Sequence, residues 1–390
     1  MSSHLEIYDL SLRKTGEELC GDKVKTYSNS EKTIIVLSDG LGSGVKANIL
    51  ATMTSEIIVK MLSEDIPLEE VINTIISTLP MCKIRKIAYA TFTILEINNK
   101  TYRYKVVNFD NPKVFVFKKN KLITVEREAK QFFDKKINVF ENNLEEGDFI
   151  GMISDGVMYA GLGSAFNFGW GWESISQFIF DILNKNSGAS ISAQEIIYQA
   201  IARTHKLYGG VIGDDATFAG VMLRKKNSIM IFTGPPLNQN DDDKIVKRLL
   251  DFNGRKIICG GTTGNIAARY LNAEPEVIIS TMTRETPPIA KLDKIDLVTE
   301  GILTMTKTLD YLREFKTDLL SLSKQGNNGA VMLAKEIISA DSIQFIVGQK
   351  INEYYQNPGL PSQISIRKNL IKEFAQFLLE IKKDVSIEYC

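Results

Sequence analysis

The hydrophobic pattern first becomes strong at Thr33–Leu37 (TIIVL), a continuous β-branched run that breaks at Ser38-Asp39-Gly40. Such a run predicts a buried strand ending in a turn. From Gly44 to about Ser63, Ile49, Leu50, Met53, Ile57, Ile58, Met61 and Leu62 recur at helical spacing. A second helix is expected over Leu68–Leu79. Ala88–Ile97 and Tyr102–Val107 read as strands joined by a hairpin-type connection at Asn98-Asn99-Lys100. Val114–Phe117 (VFVF) continues this meander after the turn Asp110-Asn111-Pro112. Beyond the turn Leu144–Asp148, the strand Phe149–Ile153 runs into a second Ser-Asp-Gly, at Ser154-Asp155-Gly156. A helix over Ala193–Tyr208 places Ile196, Ile197, Ala200, Ile201 and Leu207 on one face. Gly213-Asp214-Asp215 then precedes the strand Ala216–Leu223. The expected product is a sheet-rich α/β domain with acidic turns at its strand edges.

The polar stretch Arg224-Lys225-Lys226-Asn227 interrupts the pattern and marks a domain boundary, between residues 1–225 and 226–390. Beyond it, strand and helix alternate: strand Ile229–Phe232 ending at TGPP, helix Lys244–Leu250, strand Lys256–Cys259. A glycine turn over Gly260–Gly264 leads into a helix through Tyr270. Ile295–Val298 and Ser342–Val347 are further strands. Alternation of this kind favours a smaller, doubly wound α/β domain. The length of the whole chain, 390 residues, also makes two cores the default expectation.

Composition narrows the chemistry. Forty-seven basic residues balance forty-seven acidic ones, so no global field draws nucleic acid or an anionic membrane. Apolar runs such as Ile34–Leu37 are too short to span a bilayer, and the N-terminus lacks a signal-peptide pattern. Cys20, Cys82, Cys259 and Cys390 are scattered without a CxxC pair, which argues against a cysteine zinc site and for a reducing, cytoplasmic setting. With only His4 and His205 present, a multi-histidine metal site cannot be built. Hydrolytic chemistry here should rest on carboxylates and oxygen-loving cations.

Asp22, Asp39, Asp155 and Asp214 carry that chemistry. Each alone reads as a turn residue ahead of a ligand, because Asp tolerates turn geometry and Gly supplies positive φ. Together they say more: Asp39 and Asp155 both follow an apolar strand within the same Ser-Asp-Gly frame. Converging carboxylates repel one another unless a cation neutralises them, and oxygen donors select Mg²⁺ or Mn²⁺.

The runs VLSDGLGSGVKA (Val36–Ala47), NFDNPKVFVF (Asn108–Phe117), EEGDFIGMISDGV (Glu145–Val157) and GDDATFAGVML (Gly213–Leu223) occur in the order found in PPM-type metal-dependent protein phosphatases. With LRKTGEELCGD (Leu12–Asp22), the chain over residues 8–225 most resembles the bacterial stage II sporulation protein E branch. The resemblance implies a β-sandwich flanked by helices, with two divalent cations, Mn or Mg, in a channel at one edge. It implies that Asp39 bridges the pair, that the Gly40 carbonyl and Asp22 serve the second metal, and that Asp155 and Asp214 hold the first. Asp215 matches a less demanding position. Arg13 and Lys14 become candidate phosphate contacts, with surface solvation as the alternative. Many eukaryotic relatives carry a His after the first Asp-Gly; here that position is Leu41, so a water would have to protonate the leaving group. His205 is expected to pack or hydrogen-bond.

The implied activity is phosphoserine/phosphothreonine hydrolysis in bacterial signalling, on a phosphorylated protein such as a STAS-type anti-sigma antagonist. The alternative is a weakly catalytic scaffold that binds phosphoproteins under control of a ligand of the second domain. Gly260, Gly261, Thr262 and Thr263 form a candidate anion site at a helix start, or simply a capped strand–helix turn. Glu300-Gly301 is ligand-like or a turn, and Gln356–Pro361 (QNPGLP) is a rigid loop. The second domain is expected to bind a ligand or mediate homodimerisation.

Overall fold

A computed structural model describes residues 3–78, 90–125, 128–132, 135–163, 165–185, 191–316, 319–350, 363–381 and 383–390. The chain separates into two compact units, Ser3–Lys225 and Lys226–Cys390.

In chain order the first unit contains β1 (Ser3–Leu12), β2 (Asp22–Ser28), β3 (Lys32–Gly40), α1 (Gly44–Ser63), α2 (Leu68–Thr78), β4 (Ala90–Asn98), β5 (Arg103–Phe109), β6 (Phe115–Lys118), β7 (Lys121–Leu122), β8 (Glu128–Phe132), β9 (Lys135–Asn143) and β10 (Phe149–Ile153). The short helix α3 (Asp155–Met158), α4 (Trp172–Lys185), α5 (Ala193–Leu207) and β11 (Ala216–Lys225) complete it. Two antiparallel sheets result, ordered β1-β11-β10-β6-β7 and β2-β3-β4-β5-β9-β8.

The unbroken TIIVL run has its explanation in four layers. Alternate residues of a strand face opposite sides. Ile35 and Leu37 face the other sheet, packing with Leu95, Val106, Ile150 and Val221. Ile34 and Val36 face α1 and α2, meeting Ile58, Leu62 and Ile72. Likewise Phe117, Phe149 and Phe218 pack against Ile175 and Ile179 of α4 and Ile196 and Ala200 of α5. Both sheets are therefore covered on both faces, and their central strands carry no polar alternation. The expected flanked β-sandwich is the observed one.

Strands β1, β2, β8 and β9 were not expected from the pattern. The last three are rich in charged and polar residues, as in KKINVFENN, a composition that resembles a loop; β2 and β8 are edge strands, and β9 lies between β5 and β8. Neither Ser-Asp-Gly is a turn: Ser38, Asp39 and Gly40 are the last residues of β3, and Ser154 occupies the N-cap position of α3, which Asp155 opens. The first two residues of the expected strand from Ala88, and Leu79, Cys82 and Gln356–Pro361, lie outside the described residues.

The second unit contains β12 (Ser228–Thr233), α6 (Asp242–Asp251), β13 (Arg255–Cys259), α7 (Gly261–Leu271), β14 (Glu276–Ile278), β15 (Ile289–Leu292), β16 (Ile295–Thr299), α8 (Ile302–Phe315), α9 (Leu319–Ser323), α10 (Gly329–Ser339), β17 (Ser342–Val347), α11 (Gln363–Glu380) and β18 (Asp384–Tyr389). One sheet runs β14-β15-β16-β13-β12-β17-β18. Its five strands β16, β13, β12, β17 and β18 are parallel, and β15 and β14 extend it antiparallel. Ile231, Ile257 and Phe345 pack with α8, α10 and α11 on one face. Phe232, Ile258 and Ile346 pack with α6 and α7 on the other. The unit is doubly wound, with β12 at its centre. Among the described residues, no helix of the chain is long and apolar enough to cross a membrane.

Ile35, fully buried between the two sheets of the first unit, measures how much that unit depends on their packing. Ile35→Ala should cost about 2–5 kcal/mol, read as a lower urea midpoint with unchanged slope. A cost near zero would contradict the two-sided burial of β3.

Candidate metal centre

Pairing of the strands brings the acidic residues to one edge of the sandwich. Antiparallel pairing of β2 with β3 sets Asp22 directly opposite Asp39, and β4 sets Thr91 on the other side of Asp39. In the second sheet, β10 and β11 are antiparallel neighbours, so Asp155 after the end of one lies near Asp214 before the start of the other. Asp39, Gly40, Asp155, Asp214 and Asp215 all line one cavity of about 380 Å³. Lys14, Leu41, Gly42, Ser43, Ala90 and Thr91 complete its wall.

The glycines of the two Asp-Gly pairs are required for a reason other than positive φ. A β-carbon on Gly40 would lie 2.1 Å from the carbonyl oxygen of Ala47, and one on Gly156 would lie 2.0 Å from that of Asp215. Neither glycine adopts positive φ. Backbone packs on backbone there: α1 closes onto the end of β3, and the strand start of β11 closes onto α3.

Ser154 fastens the two sheets at this edge. Its hydroxyl donates to Asp22 Oδ2 at 2.7 Å and accepts from the Thr217 amide at 2.9 Å. Asp215, at the cavity wall, accepts from the amides of Lys14 and Gly21, at 2.9 and 2.8 Å. It thereby tethers the segment that carries Lys14 and Asp22. Behind Thr91, Asn111 and Asn108 form a buried polar network with Thr93. The motif NFDNP thus supports the wall without reaching the cavity.

Charge at the edge is only partly compensated, by Lys14. Asp22 is only 5% exposed, and among the described residues its Oδ1 has no hydrogen-bond partner. Burial, opposed by hydrogen bonds from Ser154 and Thr217, raises its pKa to about 7. Burial, then the charges of Asp22, Asp155, Asp214 and Asp215, push Asp39 up to about 9. Asp155 is raised by burial and by Asp214, while a hydrogen bond from Asp39 favours its ionised form. Asp214 is raised by burial, with Lys14 pulling the other way. Two carboxylates about 4 Å apart repel by roughly 4 kcal/mol near a protein surface, so protons are retained where no cation replaces them.

Among the described residues, no group of three or more His, Cys, Asp or Glu side chains converges tightly enough to hold a cation as it stands. The carboxyls are instead turned to local partners: Asp22 to Ser154, Asp155 to Asp39, and Asp214 to the Asp215 amide at 3.0 Å. The residues nevertheless suit a hard cation. Their donors are all oxygens, one buried carboxylate oxygen lacks a partner, and the carboxyls line a shared, solvent-sized space.

Two of the sequence-derived candidates part company here. Lys14 lines the cavity, whereas Arg13 is exposed and donates to the Glu18 carbonyl at 2.6 Å. His205 is exposed in the last turn of α5, so of the two roles expected for it, packing is not the one it fills. Ser154 and Thr217 escaped sequence reasoning, although Ser154 stood in the repeated Ser-Asp-Gly frame; Asp215 was noted, but not its hold on the Lys14 and Gly21 amides.

A helix-covered double sheet with carboxyls gathered at one edge is the architecture of PP2C-type (PPM) proteins. The chain belongs to the stage II sporulation protein E (SpoIIE) family, whose model matches residues 29–224. No curated protein sequence matches it. Similar solved structures include the PP2C phosphatase domain with a fragment of the regulatory domain of SpoIIE from Bacillus subtilis, at 20% identity and a TM-score of 0.48. That alignment covers 57% of this chain and 64% of the other, less than two thirds of its length. RsbX in complex with magnesium is 20% identical, with 56% and 96% covered and a TM-score of 0.41. The catalytic domain of the serine/threonine protein phosphatase PstP with two manganese ions is 13% identical, with 57% and 100% covered and a TM-score of 0.38.

The raised carboxyl pKa values have a signed consequence for stability. With Asp39 and Asp22 raised above the unfolded carboxylate value, the folded state binds more protons than the unfolded state. Stability of the metal-free protein should therefore fall as pH rises from about 4 toward 9, followed as melting temperature in EDTA. Asp39→Asn should flatten that slope and raise the metal-free melting temperature by roughly 2–8 °C. A melting temperature that climbs with pH in EDTA would contradict this electrostatic picture.

Proposed function

We propose that Ser3–Lys225 is a Mn²⁺- or Mg²⁺-dependent protein phosphatase acting on phosphoserine and phosphothreonine. One observation carries the reading: Asp39, Asp155 and Asp214, from separate stretches of chain, line one cavity beside a buried Asp22 with an unpartnered oxygen. Asp39, Asp155 and Asp214, with Asp22 and the Gly40 carbonyl, would hold two divalent cations. Bound there, the cations would supply an activated water and offset charge on the phosphoryl oxygens.

The chain's own residues then have distinct tasks. Asp39 sits between Asp22 and Asp155 and is the natural shared ligand. Lys14, anchored through its amide to Asp215, places an ammonium at the cavity wall, where it can pair with a phosphoryl oxygen. Leu41 leaves the rim without a side-chain proton donor at its position. Ser154 and Asp215 act as positioning residues that hold Asp22 and the Lys14 segment in register. The open mouth suits a phosphorylated side chain presented by a protein, and the family resemblance favours a STAS-type anti-sigma antagonist in bacterial signalling.

Hydrolysis of a phosphoserine peptide and of p-nitrophenyl phosphate should require Mn²⁺ or Mg²⁺ and cease in EDTA. Asp39→Asn and Asp155→Asn should each lower turnover about a hundredfold or more, while Lys14→Ala should mainly raise KM. Turnover that persists in EDTA and in both aspartate variants would overturn the assignment.

A further inference from the structure

The second unit carries a candidate site of its own, independent of the chemistry of the first. Its parallel strands end in register: Thr233 of β12 pairs with Cys259 of β13 and Val347 of β17, and Cys259 pairs with Thr299 of β16. Their carboxyl ends therefore form a straight edge, and the order of winding reverses between β12 and β17. In open parallel sheets, ligands bind outside the carboxyl ends near such a reversal.

A glycine follows each of these strand ends closely. Gly234 and Gly260 have φ of +80° and +134°. A β-carbon on Gly301 would lie 3.5 Å from the Gly260 α-carbon, and one on Gly348 would lie 2.1 Å from the Gly234 carbonyl oxygen. The edge is thus lined by bare backbone.

Two features give that edge a positive character. The first is the mouth of α7, whose N-cap, Gly260, provides no side-chain cap. Its first amides have no intrahelical acceptor, and Gly261 and Thr262 are exposed. Thr263, 1% exposed, has a hydroxyl without a partner among the described residues, 3.1 Å from the point a Gly260 β-carbon would occupy. That buried hydroxyl faces the helix mouth. Next door, the mouth of α8 is closed by the chain itself, with Glu300 Oε2 accepting from Leu303 and Thr304 amides at 3.2 and 3.4 Å.

The second is Arg367 of α11. Its Nη1 donates to the Gly348 carbonyl at 2.9 Å, and its guanidinium lies so close to Gly234 that a β-carbon there would be 2.3 Å from Nη1. No carboxylate pairs with it among the described residues, and burial lowers its pKa. Among the described residues, one of its five N–H donors is engaged. Neighbouring strand ends are about 5 Å apart, so the guanidinium at Gly234 and the amides after Gly260 flank the same stretch of edge.

We propose that this edge, formed by Gly234, the Gly260–Thr263 helix mouth and Arg367, binds a small ligand through a phosphoryl group. A phosphoryl group presents several acceptor oxygens, which matches a guanidinium fork together with successive helix amides.

The test uses the full chain in EDTA, so that the cavity of the first unit is without cations. Inorganic phosphate and adenosine 5′-monophosphate are titrated in turn, followed by calorimetry and by amide NMR shifts. Saturable binding is expected, with the largest shifts at Gly261, Thr262 and Thr263. Arg367→Gln should weaken it about tenfold or more. Thr263→Val should weaken it while raising the melting temperature of the unliganded protein, because a buried hydroxyl without a partner is removed. Both variants should hydrolyse p-nitrophenyl phosphate with Mn²⁺ as the parent chain does. Tighter binding of the nucleotide than of phosphate would point to a phosphorylated small molecule, and equal binding to free phosphate. Absence of saturable binding, shifts confined to residues outside the edge, or unchanged affinity in both variants would overturn the proposal.

Discussion

Mutual repulsion among buried carboxyls is the constraint around which the first unit is organised. Asp22 and Asp39 are locked opposite each other by strand pairing, while Asp155 and Asp214 come to the same cavity from the second sheet. Nothing in the hydrophobic sandwich requires them there. Each is held from the usual carboxylate range by burial and by its neighbours. Such an arrangement is costly without a counter-charge and favourable with one, which is the energetic mark of a cation site.

The framework that keeps the carboxyls together is largely backbone. Gly40 against Ala47 and Gly156 against Asp215 allow main chains to approach where any side chain would collide. Ser154 ties Asp22 across the sheets, and Asp215 ties the Lys14 segment through two amides. A rigid edge of this kind limits how far the acidic side chains can spread to relieve repulsion.

Legibility in the sequence followed burial. Fully covered elements such as β3 and α1 announce themselves through unbroken or helically spaced apolar residues, and the acidic motifs stand at their ends. Alternation of strand and helix likewise disclosed the doubly wound second unit. Strands β2, β8 and β9 did not, because strands with many charged and polar residues look like loops. The second Ser-Asp-Gly was misread as a turn for a related reason: an N-cap serine and a turn serine share the same local composition. Register is invisible as well. That Asp22 faces Asp39, or that Ser154 reaches Asp22 across 132 positions, follows only from how sheets stack. The role of Gly40 and Gly156 was legible as a need for glycine but not as close backbone packing. In the second unit, the glycines after β12, β13 and β16 were visible, whereas the approach of Arg367 to Gly234 was not.

The central claim is that these carboxyls assemble to trap paired cations. Crystals grown with Mn²⁺ and measured at the manganese absorption edge test it most directly. The account predicts two anomalous peaks within the cavity, with oxygens of Asp39, Asp155 and Asp214 turned toward them and Asp22 beside one. An anomalous map without density in that cavity, or with manganese bound only at surface carboxylates, would contradict it.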